Sequence, residues 1–162
     1  MSSSHFRSLF PTTIQGLALL SVLLLVGCGG TEAPAPERQA LSTSAAPAAI
    51  GPYSQAIQVG NTIYCSGQIG IDPETDSLVA GGIEAETRQV LDNLQAVLEA
   101  GGASMDDVVQ AQVFLASLDD YAAMNEVYGT YFEDAAPPAR AAVEAATLPA
   151  GARVEIMVTA RK

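Results

Sequence analysis

Histidine is almost absent from this chain of 162 residues: one copy occurs, His5, close to the start. Removal of the first residues as a targeting segment leaves a protein with no imidazole. That excludes Ser-His-Asp and Cys-His catalysis and every histidine-based metal site. Cysteine is nearly as scarce, with two copies, Cys28 and Cys65. If Cys28 carries a lipid, as read below, neither an intrachain disulfide nor a thiolate metal cluster can form. Cys65 lies in the apolar run Thr62-Ile63-Tyr64-Cys65 with no base beside it, and reads as a buried, inert thiol.

Positive charge is the third shortage. Seven Lys and Arg stand against eighteen Asp and Glu, for a formal net charge of −11. From residue 46 onward, the basic residues ahead of Arg161-Lys162 are Arg88, Arg140 and Arg153. A nucleic-acid surface needs a basic footprint, so no nucleic-acid partner is expected. With no lysine before Lys162, Schiff-base chemistry and pyridoxal-phosphate anchoring have no residue to use. Gly81-Gly82 and Gly101-Gly102 read as turns or helix ends, not phosphate loops. Chemistry is left to arginine, carboxylates, tyrosine, hydroxyls and backbone amides.

What is present begins with a targeting signal. Arg7 precedes an apolar run from Ile14 to Val26, of a length that suits a signal-peptide core rather than a membrane span. Leu25-Val26-Gly27-Cys28 resembles the bacterial lipobox, which implies cleavage before Cys28, a diacylglycerol on its sulfur and acylation of the new N-terminus. Several acyl chains anchor far more firmly than one. Residues 1–27 are therefore read as a lipoprotein signal peptide, and the product as an extracytoplasmic protein anchored to a bacterial membrane. Gly29, where an aspartate would resemble an inner-membrane retention signal, favours the outer membrane. The alternatives are an ordinary secretory signal with a chance cysteine, or a buried apolar helix. Residues 28–45 are Ala, Pro, Ser, Thr, Glu and Gln with almost no large apolar side chain, and read as a flexible tether. Residues 46–162 make one domain, long enough for a single core.

Within that domain Gly51-Pro52 marks a turn after which Tyr53 either carries its phenol to a pocket rim or packs as a core tyrosine. Ala56–Val59, Gly60-Asn61 and Thr62–Ile69 read as a hairpin, and Gly67 within Ser66-Gly67-Gln68 suggests a bulge or a close backbone approach. Asp72–Asp76 is an exposed acidic turn. Residues 84–100 are predicted helical, with Val90, Leu91, Leu94, Val97 and Leu98 on one face and Gly101-Gly102 as the stop. Val108–Ala116 reads as a strand. A second helix starts near Asp119-Asp120, with Tyr121, Met124, Tyr128, Tyr131 and Phe132 as its core stripe and Asn125 beside it. In the last strand Val154, Ile156, Val158 and Ala160 share one face, and Arg153, Glu155, Met157 and Thr159 the other. The order strand, strand, helix, strand, helix, strand, strand implies an α+β domain with two helices on one face of a mixed sheet.

The chemistry concentrates in Pro137–Pro149 and Arg153–Ile156. Pro137-Pro138 forces an extended approach, and Arg140 follows among small neighbours. A guanidinium here needs an anionic partner, and its planar fork fits a carboxylate two-pronged. Pro149–Ala152 reads as a tight turn into the strand that carries Glu155, so arginine and glutamate are expected on neighbouring extended segments. On residue types alone, an ion pair between Arg140 and Glu155 or Glu144 is the plainer reading. The poverty of other reactive groups favours a functional role.

Taken together, Ile50-Gly51-Pro52-Tyr53-Ser54-Gln55-Ala56, Ser66-Gly67-Gln68-Ile69, Asp92-Asn93-Leu94 and Pro138-Ala139-Arg140 through Val154-Glu155-Ile156 resemble the Rid family, the reactive intermediate deaminases also called the YjgF or UK114 family. The resemblance spans residues 46–160. It implies a chorismate-mutase-like fold, a homotrimer with sites between subunits, and hydrolysis of 2-enamine and 2-imine acids such as 2-aminoacrylate and 2-iminobutyrate. It further implies that Arg140 grips the substrate carboxylate and that Glu155 positions or deprotonates water. Tyr53 would line the pocket, Ser66, Gly67 and Asn125 would supply walls and hydrogen bonds, and Ala142 would stand where many relatives carry cysteine. No cofactor is needed, since an iminium carbon is already activated toward water. A different class of function remains open: a non-catalytic trimeric module that binds small carboxylates or another protein.

Overall fold

The computed structural model describes residues 35–133 and 136–162. The stretch read as a signal peptide, residues 1–27, and Cys28 lie outside the described residues. Among the described residues no helix is long and apolar enough to cross a membrane.

The chain from Ala35 onward is one compact unit. Its main sheet begins with β1 (Arg38–Leu41), which runs antiparallel to β2 (Ala56–Val59); β2 pairs in turn with β3 (Thr62–Cys65). The hairpin predicted at Gly60-Asn61 is present, with Gly60 at φ 57, a left-handed conformation that glycine adopts without strain. The predicted break also forms: Ser66-Gly67 separates β3 from the short β4 (Gln68–Ile69), and both segments pair with the last strand, β9 (Val154–Arg161). β7 (Val108–Leu115) lies antiparallel along the far side of β9, and β8 (Ala139–Glu144) closes the edge parallel to β7. The strand order is β1-β2-β3-β9-β7-β8, a mixed sheet. The acidic turn at 72–76 proves to be the tip of a separate small hairpin, β5 (Ile71–Asp72) and β6 (Ser77–Leu78).

Two helices cover one face. α1 (Gly82–Ala100) buries Val90, Leu91, Leu94, Val97 and Leu98 completely, each at 0% exposure, as its 3.6-residue period requires. Its C-terminal carbonyls are met by Lys162, whose Nζ donates to Gly101 O at 2.7 Å. α2 (Tyr121–Gly129) connects β7 to β8, the crossover a parallel pair needs, and follows a 3₁₀ turn at Leu118–Asp120. From the sheet, Ile63, Val113, Val154, Ile156 and Val158 point into the same core. The opposite face carries Tyr64, Phe114, Val143 and Met157, and among the described residues no helix covers it.

Three expectations need correction. The tether does not extend to residue 45: β1 falls inside it, Leu41 and Ala46 are buried in the core, and the domain begins near Ala35. Main-chain pairing to β2 supplies the stability that the polar composition of this stretch conceals. The segment from Thr43 to Pro47 is then held by one buried amide. Gln55 Oε1 accepts from Thr43 N at 2.7 Å, and Gln55 Nε2 donates to the carbonyls of Thr43, Ala46 and Pro47. Second, β8 and β9 are not neighbours, because β7 runs between them. Third, Tyr121 is not core: it is 40% exposed at the start of α2.

Candidate functional site

Arg140 faces α2. Its register partner on β7 is Ala111, a buried residue of the helix-covered face, so the guanidinium projects under the helix at the open edge of the sheet. There Nη2 donates to Asn125 Oδ1 at 2.6 Å and to the Tyr121 hydroxyl at 3.3 Å. The guanidinium carbon lies 4.5 Å from the centre of the Tyr128 ring and 5.7 Å from that of Tyr121. Two aromatic faces and an amide carbonyl hold the cation without neutralising it. Burial pushes the Tyr128 phenol up to about 12, with the charge of Arg140 opposing the shift. Tyr121, Asn125, Tyr128, Pro138, Arg140 and Ala142 line a cavity of about 400 Å³. The ion pair expected from residue types is not formed: among the described residues the single salt bridge joins Arg153 to Asp120, at 2.9 Å. Glu144 instead accepts from Leu118 N.

Glu155 projects from the opposite face of the sheet. The alternation of β9 sends Val154 and Ile156 into the core, so Glu155 points to the uncovered side. Its carboxylate lies over Gly67, where an added Cβ would collide with Oε1 and come within 2.8 Å of Cδ. This is the close approach that the Ser66-Gly67-Gln68 break makes room for. Partial burial raises the pKa of Glu155 above the usual carboxylate value. Ser66 Oγ donates to Ser54 O at 2.7 Å and thereby ties the corner between β3 and β4 to the 50–55 loop. The Tyr53 hydroxyl accepts from Ile50 N at 3.3 Å, which folds its ring over the same loop. Tyr53, Ser66, Gly67, Met157 and Glu155 line a second cavity, of about 440 Å³.

The residues singled out from sequence thus fall into two groups within one chain. Tyr53, Ser66, Gly67 and Glu155 share one cavity, and Asn125, Arg140 and Ala142 share the other. Neither group contains both a carboxylate grip and a carboxylate base. Cys65, next to Ser66 in the chain, is turned into the core; burial pushes its thiol up to about 12, as expected of an inert cysteine.

Sequence reasoning passed over Tyr121 and Tyr128 as members of the Arg140 cavity. Their spacing with Asn125, at i, i+4 and i+7, is the signal that was available: a polar amide between two phenols on one helix face is poor core material and a good seat for a cation.

A family model described as Endoribonuclease L-PSP matches residues 43–162. The mouse 2-iminobutanoate/2-iminopropanoate deaminase is 52% identical over 119 residues, covering 74% of this chain and 87% of that protein. Among solved structures, RidA from the Antarctic bacterium Psychrobacter sp. PAMC 21119 superposes with a TM-score of 0.74 at 48% identity, over 76% of this chain and 99% of that one. A Rid-family protein of unknown function from Yersinia pestis reaches 0.76 at 44% identity, over 78% and 100%. With the whole domain matched at this identity, and with the predicted α+β fold in place, the chain belongs to the Rid (YjgF) family.

Proposed function

We propose that this protein hydrolyses reactive 2-imino and 2-enamino acids, such as 2-iminobutyrate and 2-aminoacrylate, to 2-keto acids and ammonia. The observation that carries the reading is complementary incompleteness. Among the described residues, Arg140 is held by neutral partners with no carboxylate on it, and Glu155 is a half-buried carboxylate without a cation. A substrate with a carboxylate at one end and an electrophilic carbon next to it would satisfy both. The relatives named as 2-iminobutanoate/2-iminopropanoate deaminases support the same chemistry.

In this reading the fork of Arg140 binds the substrate carboxylate, and an enamine first tautomerises to its imine. Glu155 takes a proton from water as the water oxygen bonds to the imine carbon. Glu155 passes that proton to nitrogen to give the carbinolamine. It then takes the proton of the carbinolamine hydroxyl and delivers it to the amine, so that the C–N bond breaks as the C=O bond forms and ammonia leaves the keto acid. A raised carboxylate pKa suits this, since a general base works best when its pKa lies near the working pH. Because the two groups occupy opposite faces of one sheet, the complete site would form where Arg140 of one copy meets Glu155 of another. A homotrimer joined through the uncovered sheet face is the proposed assembly.

The test generates 2-iminobutyrate in situ with a dehydratase and follows its disappearance with the full chain purified in detergent. Wild type should accelerate the decay, and Arg140→Ala, folded by circular dichroism, should not. A well-folded wild type without effect would favour the carboxylate-binding module instead. Anchoring at Cys28 is part of the proposal and rests on the lipobox resemblance alone. Cys28→Ser should shift the protein from the detergent phase to the aqueous phase, and unchanged partitioning would remove it.

A further inference from the structure

We propose that the Tyr121 hydroxyl is a third donor of the carboxylate grip, touching substrate beside the Arg140 fork. The inference rests on the Arg140 role argued above but concerns a residue that role does not require. Tyr121 opens α2, one helical turn ahead of Asn125, and lines the Arg140 cavity. Its oxygen accepts a hydrogen bond from Arg140 Nη2 at 3.3 Å. A phenol that accepts in this way keeps its own proton to give. Asn125 Oδ1, a second side-chain acceptor in the cavity, already accepts from Arg140 at 2.6 Å. The ring is 40% exposed, so the free O–H faces space that a ligand can enter.

The guanidinium fixes where a carboxylate would sit, and the phenol lies within hydrogen-bond range of that guanidinium. A ligand carboxylate can therefore receive the N–H donors of Arg140 that Asn125 and Tyr121 leave free, on Nη1 and Nε, and one O–H from Tyr121. Asn125 foremost, then the hydrogen bond and charge of Arg140, lowers the pKa of this phenol below its ordinary value. Lowering makes it a better donor to an anion at neutral pH, and also brings within experimental reach the pH at which the donor is lost. The titratable groups facing it in the cavity are Arg140 on β8 and Tyr128 on α2. The latter is pushed up to about 12, well apart from Tyr121.

The test compares wild type and Tyr121→Phe, each as the full chain in detergent, by calorimetric titration with 2-oxobutanoate as the probe. Phenylalanine keeps the ring over Arg140 and removes the hydroxyl. A lost hydrogen bond to a charged group predicts binding weaker by roughly tenfold in Tyr121→Phe. In turnover the same variant should show a raised KM with kcat within about twofold, because the contact is made equally in ground and transition states. Wild-type affinity should fall as pH rises through the titration of Tyr121, and that alkaline fall should be missing from Tyr121→Phe. Equal binding by the two proteins, or an alkaline fall that persists in the variant, would overturn the proposal. So would a wild type that fails to bind the keto acid. Binding without turnover in wild type would count against the deaminase reading alone, since the hydroxyl contact is read from affinity.

Discussion

At the scale of single residues, the environment of Glu155 makes two predictions of opposite sign. Partial burial favours its neutral form and raises its pKa above that of an unfolded-state carboxylate. In its proposed role as base it works only when ionised, so turnover should rise with pH through the raised value. Glu155→Gln should lower kcat by roughly 100-fold and abolish that limb, the loss usual for removal of a general base. An unaltered pH profile in the variant would assign the carboxylate a structural role. Stability runs the other way. Between the ordinary carboxylate pKa and the raised one, the folded chain binds more protons than the unfolded chain, so stability falls as pH rises through that window. Above it the ionised carboxylate is still penalised. Glu155→Gln should therefore have the higher Tm at neutral pH, with the difference fading at acid pH, which thermal melts across a pH series would read directly.

At the scale of elements, Gly67 couples backbone path to carboxylate position. The corner between β3 and β4 runs so close beneath Glu155 that even one added carbon collides with the carboxylate. Gly67→Ala should cut turnover by roughly 100-fold while the melting temperature changes little, because the flexible end of Glu155 can swing away but then, in its proposed role, misses the reacting carbon. A variant as active as wild type would show that the carboxylate has another working position. This corner was legible in advance, since a glycine that interrupts an apolar strand announces close contact. So were α1, from its apolar period, and the alternation that sends Glu155 away from the core. β1 was not, because Arg38-Gln39-Ala40 has no apolar face and its order comes from pairing with β2 and from the Gln55 amide. The separation of Arg140 from Glu155 was not legible either. It depends on β7 inserting between β8 and β9, a non-local choice that leaves no trace in the local pattern of the two flanking strands.

At the scale of the whole molecule, the proposed division of the site between copies makes a prediction about assembly. One chain places the Arg140 cavity beneath its helices at the β8 edge and the Glu155 cavity on the uncovered face. That face presents Tyr64 at 52% exposure and Val143 at 48%, apolar surface that a second copy would remove from water. Sites that draw one group from each of two copies can be rescued by mixing. Arg140→Ala and Glu155→Gln should each be nearly inactive alone. Co-refolded in equal amounts, the two variants should recover activity at about a quarter of the wild-type level, since random assortment in a closed ring gives that fraction of interfaces both intact groups. A site built within one chain, in contrast, could never regain both groups by exchange of subunits, and the mixture would stay as inactive as its components. Recovery that appears on co-refolding but not on simple mixing of the folded variants would further show that the copies exchange slowly once assembled.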